Sequence, residues 1–171
     1  MVELDQPLFR RVALIGLGLI GSSIARGIQA TGVAGEIVAT DRSPEVRARA
    51  REIGLADRIA ESSAEAVEEA DLVIACVPVG VCGEVAESFA THLAPGAIVS
   101  DVGSVKAAVV AAMQPHLPAS VHFVPAHPVA GTEDSGPDAG FAELFVNRWC
   151  VLTPPAGTDA LAVERLRQFW S

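Results

Sequence analysis

Six short apolar segments, separated by stretches with helical periodicity, limit most strongly the fold this chain can adopt. They are rich in Val and Ile and do not alternate with polar residues, as expected for strands buried on both faces. The predicted strands cover residues 12–15, 37–39, 72–77, 97–99, 121–124 and 150–152. Between them, apolar residues recur at helical spacing, as at Ile20, Ile24 and Ile28. Repeated strand–helix alternation predicts an α/β fold with a doubly wound, mostly parallel sheet.

The size and charge of the chain restrict its partners. Its 171 residues, 50% of them hydrophobic, suffice for one domain with a sizeable core. With 12 Lys and Arg against 21 Asp and Glu, the net charge is -9, and such a surface repels nucleic acid and anionic membranes. The longest apolar stretch, residues 72–82, is too short to span a bilayer. We therefore expect a small-molecule partner, with no nucleic acid and no membrane.

The three cysteines indicate a reducing compartment. Cys76, Cys82 and Cys150 are odd in number and lack C-x-x-C spacing. Cys76 and Cys150 lie inside apolar runs, which favours buried free thiols in the cytosol over a disulfide. We expect a cytoplasmic protein without a structural zinc site or another metal centre.

A G-x-G-x-x-G motif at Gly16, Gly18 and Gly21 follows the first predicted strand and opens the first predicted helix. In this context the motif indicates dinucleotide binding, as in a Rossmann-type domain. Gly16 would allow a tight turn, Gly18 a close approach to pyrophosphate, and Gly21 close packing of helix on sheet. The amides of Leu19 and Ile20 would hold the phosphates at the positive end of the helix dipole. The alternative is a plain strand-to-helix turn.

Asp41 follows the second predicted strand about 20 residues after Gly21, where an acid accepts hydrogen bonds from the ribose hydroxyls of NAD. Its charge repels a 2′-phosphate, so NAD is favoured and NADP is less favoured. Arg42 keeps NADP open, because its guanidinium could stack on adenine or accept that phosphate. Asp41 could instead be a cap or turn residue. Val77 and Pro78 would border the cofactor crevice where strand 72–77 ends, although simple strand termination explains Pro78 equally well.

Three segments together resemble one enzyme family. They are G-L-G-L-I-G-S-S at 16–23, S-D-V-G-S-V-K at 100–106 and H-P-V-A-G-T-E-D-S-G at 127–136. The chain is similar over nearly its whole length to the prephenate and arogenate dehydrogenases, including the cyclohexadienyl dehydrogenases that accept both substrates. The resemblance implies NAD-dependent oxidative decarboxylation in tyrosine biosynthesis, giving 4-hydroxyphenylpyruvate from prephenate or tyrosine from arogenate.

The same resemblance implies catalytic roles. His127 would hydrogen-bond the C4 hydroxyl of the substrate and take its proton, on a loop that Pro125 and Pro128 stiffen. These prolines exclude a helix or a central strand at this point. Ser104 would bind the same hydroxyl, or position His127 and the nicotinamide. The alternative for Ser104 is to cap the helix that follows it.

Further roles follow on the substrate side. Thr132 and Glu133 would line the substrate pocket, with turn formation as the alternative, and Lys106 would hold its own loop. Near this site the sequence offers a substrate carboxylate only Lys106 and Arg148 as cations. In the family, the dinucleotide-binding domain is followed by a helical domain, which forms the dimer and completes the substrate pocket. The resemblance thus implies a homodimer through a domain that these 171 residues lack.

The proline-rich stretch at 154–157 sets the expected domain boundary. We expect the dinucleotide-binding domain over residues 1–154, and a linker with the start of a helix over 155–171. The terminal Phe169 and Trp170 would present an apolar face to a missing partner surface. Such a chain should bind dinucleotide but turn over little substrate.

Two other functions are compatible with part of these sequence features. Other two-domain dehydrogenases, of the hydroxyacid or pyrroline-carboxylate reductase kind, have the glycine loop but lack the paired segments at 100–106 and 127–136. A dinucleotide-sensing module without chemistry would make His127 and Ser104 incidental.

Overall fold

The computed structural model describes residues 6–171. Its strands are β1 (Phe9–Ile15), β2 (Ala34–Thr40), β3 (Arg58–Ile59), β4 (Leu72–Ala75), β5 (Ile98–Asp101), β6 (His122–Phe123), β7 (Ala126–Pro128) and β8 (Cys150–Leu152). Its α-helices are α1 (Leu19–Thr31), α2 (Pro44–Glu52), α3 (Ser63–Val67), α4 (Cys82–Phe89), α5 (Lys106–Met113) and α6 (Ala160–Phe169). Six strands form one parallel sheet in the order β3-β2-β1-β4-β5-β6, while β7 and β8 form a separate antiparallel pair. The expected doubly wound α/β fold is confirmed.

The sheet is buried on both faces because its side chains enter two cores. Val12 and Leu14 of β1 pack with residues of α1 and α6. The alternate residues Ala13 and Ile15 pack with residues of α4 and α5 on the opposite face. Continuous apolar strands are therefore required here, and this is the pattern from which the fold was predicted.

Two strands differ from the sequence prediction. Segment 150–152 was expected to be a doubly buried parallel strand, but β8 pairs antiparallel with β7 outside the main sheet and leaves Val151 48% exposed. β3 was not predicted, because its two residues are too few and too polar to form an apolar run. Pro125 separates β6 from β7, so His127 lies on the small antiparallel pair, in agreement with the exclusion of a helix and a central strand.

The terminal aromatic residues are packed within the protein, contrary to expectation. The rings of Phe169 and Phe9 pack edge-to-face with their centroids 6.0 Å apart. The rings of Trp170 and Phe145 pack in the same way with their centroids 5.3 Å apart. Both rings are partly buried, because α6 folds back onto the core that includes β1. The interpretation of these two residues as an uncovered apolar face is wrong. None of the helices in residues 6–171 has the length and apolar character needed to cross a bilayer.

The cysteines match the expectation in part. All three thiols are free, but only Cys82 is fully buried, whereas Cys76 and Cys150 are partly exposed. Burial raises the pKa of Cys82 from 9.0 to about 11. Burial also raises the pKa of Cys150 to about 12, although a hydrogen bond from the main chain of His127 acts in the opposite direction.

These thiols should make the protein less stable in alkaline solution. In the unfolded chain they ionise near their ordinary pKa, so the unfolded state loses protons first as the pH rises. The free energy of unfolding should therefore fall between the ordinary thiol pKa of 9.0 and the folded value for Cys82 of about 11. The sequence contains no tyrosine, which leaves few other groups to titrate in this range.

Urea midpoints measured below and above the ordinary thiol pKa test this expectation. The midpoint should be lower at the higher pH, and Cys82→Ala combined with Cys150→Ala should reduce the difference. A parent protein with equal midpoints at both pH values would contradict the assignment.

Candidate active site at the carboxyl edge of the sheet

The glycine loop follows β1 and depends on glycine at two positions. Gly16 has φ of 101°, and a Cβ there would collide with the carbonyl of Cys76. A Cβ at Gly21 would collide with the carbonyl oxygen of Gly16 and lie 3.3 Å from the Cβ of Cys76. The first turn of α1 can thus pack against the loop and the end of β4 only without these side chains.

Gly18 differs from its two neighbours in the motif. No heavy atom lies within 4 Å of a Cβ built at this position, so the space beside it is open. Gly18 also precedes α1 without a side-chain cap. Leu19 and Ile20 form the first turn of a 13-residue helix, so their amides have no acceptor within the helix. The open space beside Gly18 leaves this end of the helix accessible. An anionic group such as a pyrophosphate fits this environment.

Asp41 follows β2 and fastens the glycine loop to it. One carboxylate oxygen accepts from the amide of Leu17 at 2.9 Å, and the other from the amide of Ser43 at 2.9 Å. Ser43 itself caps α2 by accepting from the amide of Val46 at 3.3 Å, so Asp41 is not the helix cap. Its turn-forming role is present. Each oxygen still has a lone pair with which to accept a hydroxyl.

Two arginines surround Asp41 in different ways. The guanidinium of Arg47 donates to the carbonyl of Asp41 at 2.8 Å and pairs with Glu61 at 3.2 Å. Arg42 is exposed, and its guanidinium bonds to no other described residue. Arg42 is therefore the cation that remains available to an adenine ring or a phosphate in this part of the described chain.

Val77 and Pro78 lie beyond the end of β4. The Cγ1 of Val77 is 3.1 Å from a Cβ built at Gly16, which places Val77 against the glycine loop. Pro78 is exposed and precedes a short 3-10 turn at Val79–Val81. The strand ends at Ala75, so Pro78 does not terminate the pairing as expected. The geometry puts Val77, more than Pro78, beside the loop.

An ion pair fastens the β5–α5 loop to the strand that carries His127. Asp101, fully buried at the end of β5, pairs with Lys106 at the start of α5. The Nζ of Lys106 donates to the carbonyl of Ala126 at 2.7 Å, and the amide of Ala126 donates to Asp101 at 3.2 Å. We call Asp101, Lys106 and Ala126 the peptide clamp. The expectation that Lys106 holds its own loop agrees with these bonds.

His127 and Ser104 lie beside the peptide clamp. His127 is partly buried in β7, opposite Val151 of β8. Ser104 is exposed, and its hydroxyl bonds to no described residue. Helix α5 begins at Lys106, and its cap, Val105, offers no side-chain hydrogen bond, so Ser104 is not the helix cap. Its hydroxyl is available to a ligand.

No hydrogen bond in the part of the chain that the structure describes joins Thr132 or Glu133 to His127, to Ser104 or to the peptide clamp. Both are exposed on the loop after β7. The Thr132 hydroxyl accepts from the amide of Asp134 at 3.2 Å, which is the local turn contact that was the alternative to substrate binding. Within residues 6–171, no group of three or more His, Cys, Asp or Glu side chains is arranged to hold a metal ion.

Comparison with known proteins identifies this arrangement. A family model described as prephenate dehydrogenase, nucleotide-binding domain, matches residues 24–171. The chain belongs to the prephenate dehydrogenase family. The resemblance carried by the three segments is thus confirmed, and the family is one of oxidoreductases.

Individual members of the family are similar over most of this chain. A cyclohexadienyl dehydrogenase of Zymomonas mobilis is 46% identical over 162 residues, which is 95% of this chain and 55% of that protein. The crystal structure of prephenate dehydrogenase from A. aeolicus in complex with hydroxyphenyl propionate and NAD+ has a TM-score of 0.85 at 30% identity, covering 98% of this chain and 57% of that one. Synechocystis arogenate dehydrogenase has a TM-score of 0.84 at 31% identity, covering 93% and 55%. The chain spans little more than half the length of these relatives.

Of the two cations that the sequence offers near the substrate, Lys106 holds its own loop as expected, whereas Arg148 lies away from the site. Lys106 is bonded within the peptide clamp, and its side chain is only 16% exposed. Arg148 is exposed and borders a groove formed with the second half of α1 and the end of α6, away from the glycine loop. Neither is free at the site to meet a substrate carboxylate.

Some residues that shape this site have no role predicted from the sequence. Asp101 lies within the segment at 100–106, and an acid where a buried strand ends is a usable signal for such a role. Gly140 packs on α1 so tightly that a Cβ would collide with Ser22 and Ser23. Arg49 of α2 pairs with Asp138 of the same loop at 2.7 Å. No local pattern marks these long-range contacts.

Proposed function

We propose that the protein carrying this domain oxidises prephenate, arogenate or both with NAD, releasing carbon dioxide. The supporting observation is the arrangement at one sheet edge. At this edge the N-terminal end of α1 follows Gly18 and has open space beside it. The peptide clamp holds the strand that carries His127 at the same edge. Ligands of open α/β sheets bind at this edge. The proposal also includes a cytoplasmic homodimer formed through residues outside these 171.

The residues have separate tasks in the proposed reaction. Gly18, Leu19 and Ile20 would hold the pyrophosphate of NAD, and Asp41 would accept hydrogen bonds from its adenosine ribose. Bound NAD would supply the acceptor for the hydride that leaves ring carbon C4. His127 takes the proton of the C4 hydroxyl, and Ser104 holds that hydroxyl in place. The carboxylate on the ring leaves as carbon dioxide, and its bonding electrons enter the ring, which becomes aromatic. The C4 oxygen then takes the proton back from His127, which gives the phenol and restores the free base.

The relatives support this choice of ligands. The A. aeolicus enzyme is described with NAD+ and hydroxyphenyl propionate, a phenol with a short carboxylate chain. The proposed product from prephenate, 4-hydroxyphenylpyruvate, has the same form. Relatives named as cyclohexadienyl and arogenate dehydrogenases keep both substrates in the proposal. The two alternative functions are not favoured, since the paired segments belong to this family.

Asp41 should favour NAD over NADP. We expect NAD to bind at least several-fold more tightly, because a 2′-phosphate would approach a carboxylate in a partly buried setting. Asp41→Ala should narrow the difference by removing that repulsion, while Arg42 remains to attract the phosphate. Titration calorimetry with both cofactors measures the ratio of the two affinities. Asp57→Ala serves as the control variant, because it also removes one acid, on the turn before β3. Equal affinities in the parent protein would disprove the assignment.

The overall activity can be tested by NADH absorbance in the full-length protein, with each substrate and each cofactor. We expect NADH formation that depends on prephenate, arogenate or both, and that is faster with NAD. A protein that binds NADH but forms none with either substrate would favour the dinucleotide-sensing function instead.

A further inference from the structure

The peptide clamp contains the only lysine of the sequence; every other cationic side chain apart from histidine is arginine. Lys106 uses its ammonium group for Asp101 and for the carbonyl of Ala126. A compact ammonium group can donate in several directions from a narrow space, whereas the guanidinium of arginine is planar and larger. The partner of Lys106 also sets this ion pair apart, because Asp101 is fully buried, whereas the acidic partner in each arginine ion pair of residues 6–171 is at least 28% exposed.

Asp101 provides the other half of the clamp. Its carboxylate is fully buried and accepts from the amide of Gly103 at 2.8 Å, from the amide of Ala126 at 3.2 Å and from Lys106. A buried carboxylate is retained only where such donors compensate for its lost hydration. The ion pair therefore holds Ala126 at both its N–H and its C=O group.

We propose that Asp101 and Lys106 are positioning residues that fix Ala126 and, through it, the imidazole of His127. This inference rests on the proposed function, in which His127 takes the substrate proton. In this proposal Lys106 binds the protein's own main chain. It does not bind a substrate carboxylate, which is the other role open to a cation in this segment.

The prolines around His127 explain why the effect reaches the imidazole. Pro125 and Pro128 restrict the main-chain angles on both sides of Ala126 and His127. The chain therefore has few ways to absorb a shift of Ala126 locally, and the shift carries His127 with it. A displacement of about 1 Å at a reacting group can lower the rate by about 100-fold.

Variants of the full-length protein test the clamp. Lys106→Met should lower kcat by about 10- to 100-fold, with KM for NAD and the Kd of NADH changed by less than about 2-fold. Asp101→Asn, which keeps the shape of the side chain, should act in the same direction. Lys106→Arg, which retains the charge, should recover part of the loss. Arg167→Met removes a cation from an exposed ion pair on α6 and should leave kcat unchanged.

A double variant separates positioning from general destabilisation. In a His127→Asn background, Lys106→Met should lower kcat by no more than about 2-fold, because both changes act on the same step. A further loss equal to that in the parent would overturn the proposal.

Hydrogen exchange tests the clamp without catalysis. The amide of Ala126 should exchange faster in Lys106→Met and in Asp101→Asn, while the amide of Val124, bonded to Val99 at 2.9 Å, should not. Unchanged exchange at Ala126 in both variants would overturn the clamp. If the parent oxidises neither prephenate nor arogenate, the proposed function fails, and the exchange result alone decides whether the clamp holds Ala126.

Discussion

Replacement of His127 by asparagine is expected to lower kcat of the full-length protein by about 10²–10⁴-fold. Asparagine can still hydrogen-bond the substrate hydroxyl, but it cannot take a proton near neutral pH. The Kd of NADH should change little, because the pyrophosphate and ribose contacts proposed for Gly18 and Asp41 lie on other loops. Stopped-flow NADH formation and a separate NADH titration measure the two quantities.

The same substitution at another histidine serves as the control. His92 is exposed on a short 3-10 turn and lies 3.7 Å from Glu68, apart from the glycine loop and the peptide clamp. His92→Asn should leave both kcat and the Kd of NADH unchanged. If His127→Asn instead abolished NADH binding while turnover per bound complex stayed the same, His127 would be structural.

Substitution of Gly21 by alanine is expected to damage both folding and cofactor binding. The added Cβ would collide with the carbonyl oxygen of Gly16, so α1 would have to move away from the loop. Overpacking of this kind destabilises proteins by about 1–3 kcal/mol or more. The first amides of α1 would move with the helix, and NADH binding should weaken by at least about 10-fold. Urea unfolding and NADH fluorescence titration measure the two effects.

Two other glycines give matched controls. Gly27, on the same helix, would place its Cβ no closer than 3.9 Å from Ala142, so Gly27→Ala should be neutral or stabilising by about 0.5–1 kcal/mol. Gly18 has open space at its Cβ position. Gly18→Ala should therefore cost less stability than Gly21→Ala, the loss being limited to the poorer helix cap that alanine makes. It should still weaken NADH binding, because the methyl group would occupy the approach of the pyrophosphate. Equal NADH affinity in Gly18→Ala and the parent would show that the pyrophosphate lies elsewhere.

The main sheet could be predicted from the sequence because burial on both faces leaves a continuous apolar run. β1 and β4 show this directly. β8 has the same apolar appearance, but its pairing partner and its exposure depend on where Pro125 turns the chain, which no local pattern specifies. The two residues of β3 are held by pairing with β2 and carry no signal of their own.

The candidate site was predictable to the extent that its geometry is local. The glycine loop follows from the spacing of three glycines after a strand, and Asp41 follows from its distance along the chain. The peptide clamp joins positions 101, 106 and 126 through tertiary contacts, and the packing of Gly140 on α1 does the same over a longer separation. Such contacts depend on the folded sheet, so a motif can suggest that they matter but cannot specify the bonds.

The proposed oxidative decarboxylation is tested most directly by the stoichiometry of the reaction in the full-length protein. Prephenate or arogenate carrying an isotopic label in the ring carboxylate would be incubated with NAD, and labelled carbon dioxide and NADH would be measured together. We expect equal amounts of both products at every time point, and no release of labelled carbon dioxide above the spontaneous background when NAD is omitted. NADH formation without release of the label, or enzyme-dependent release of the label without NAD, would contradict oxidative decarboxylation at this site.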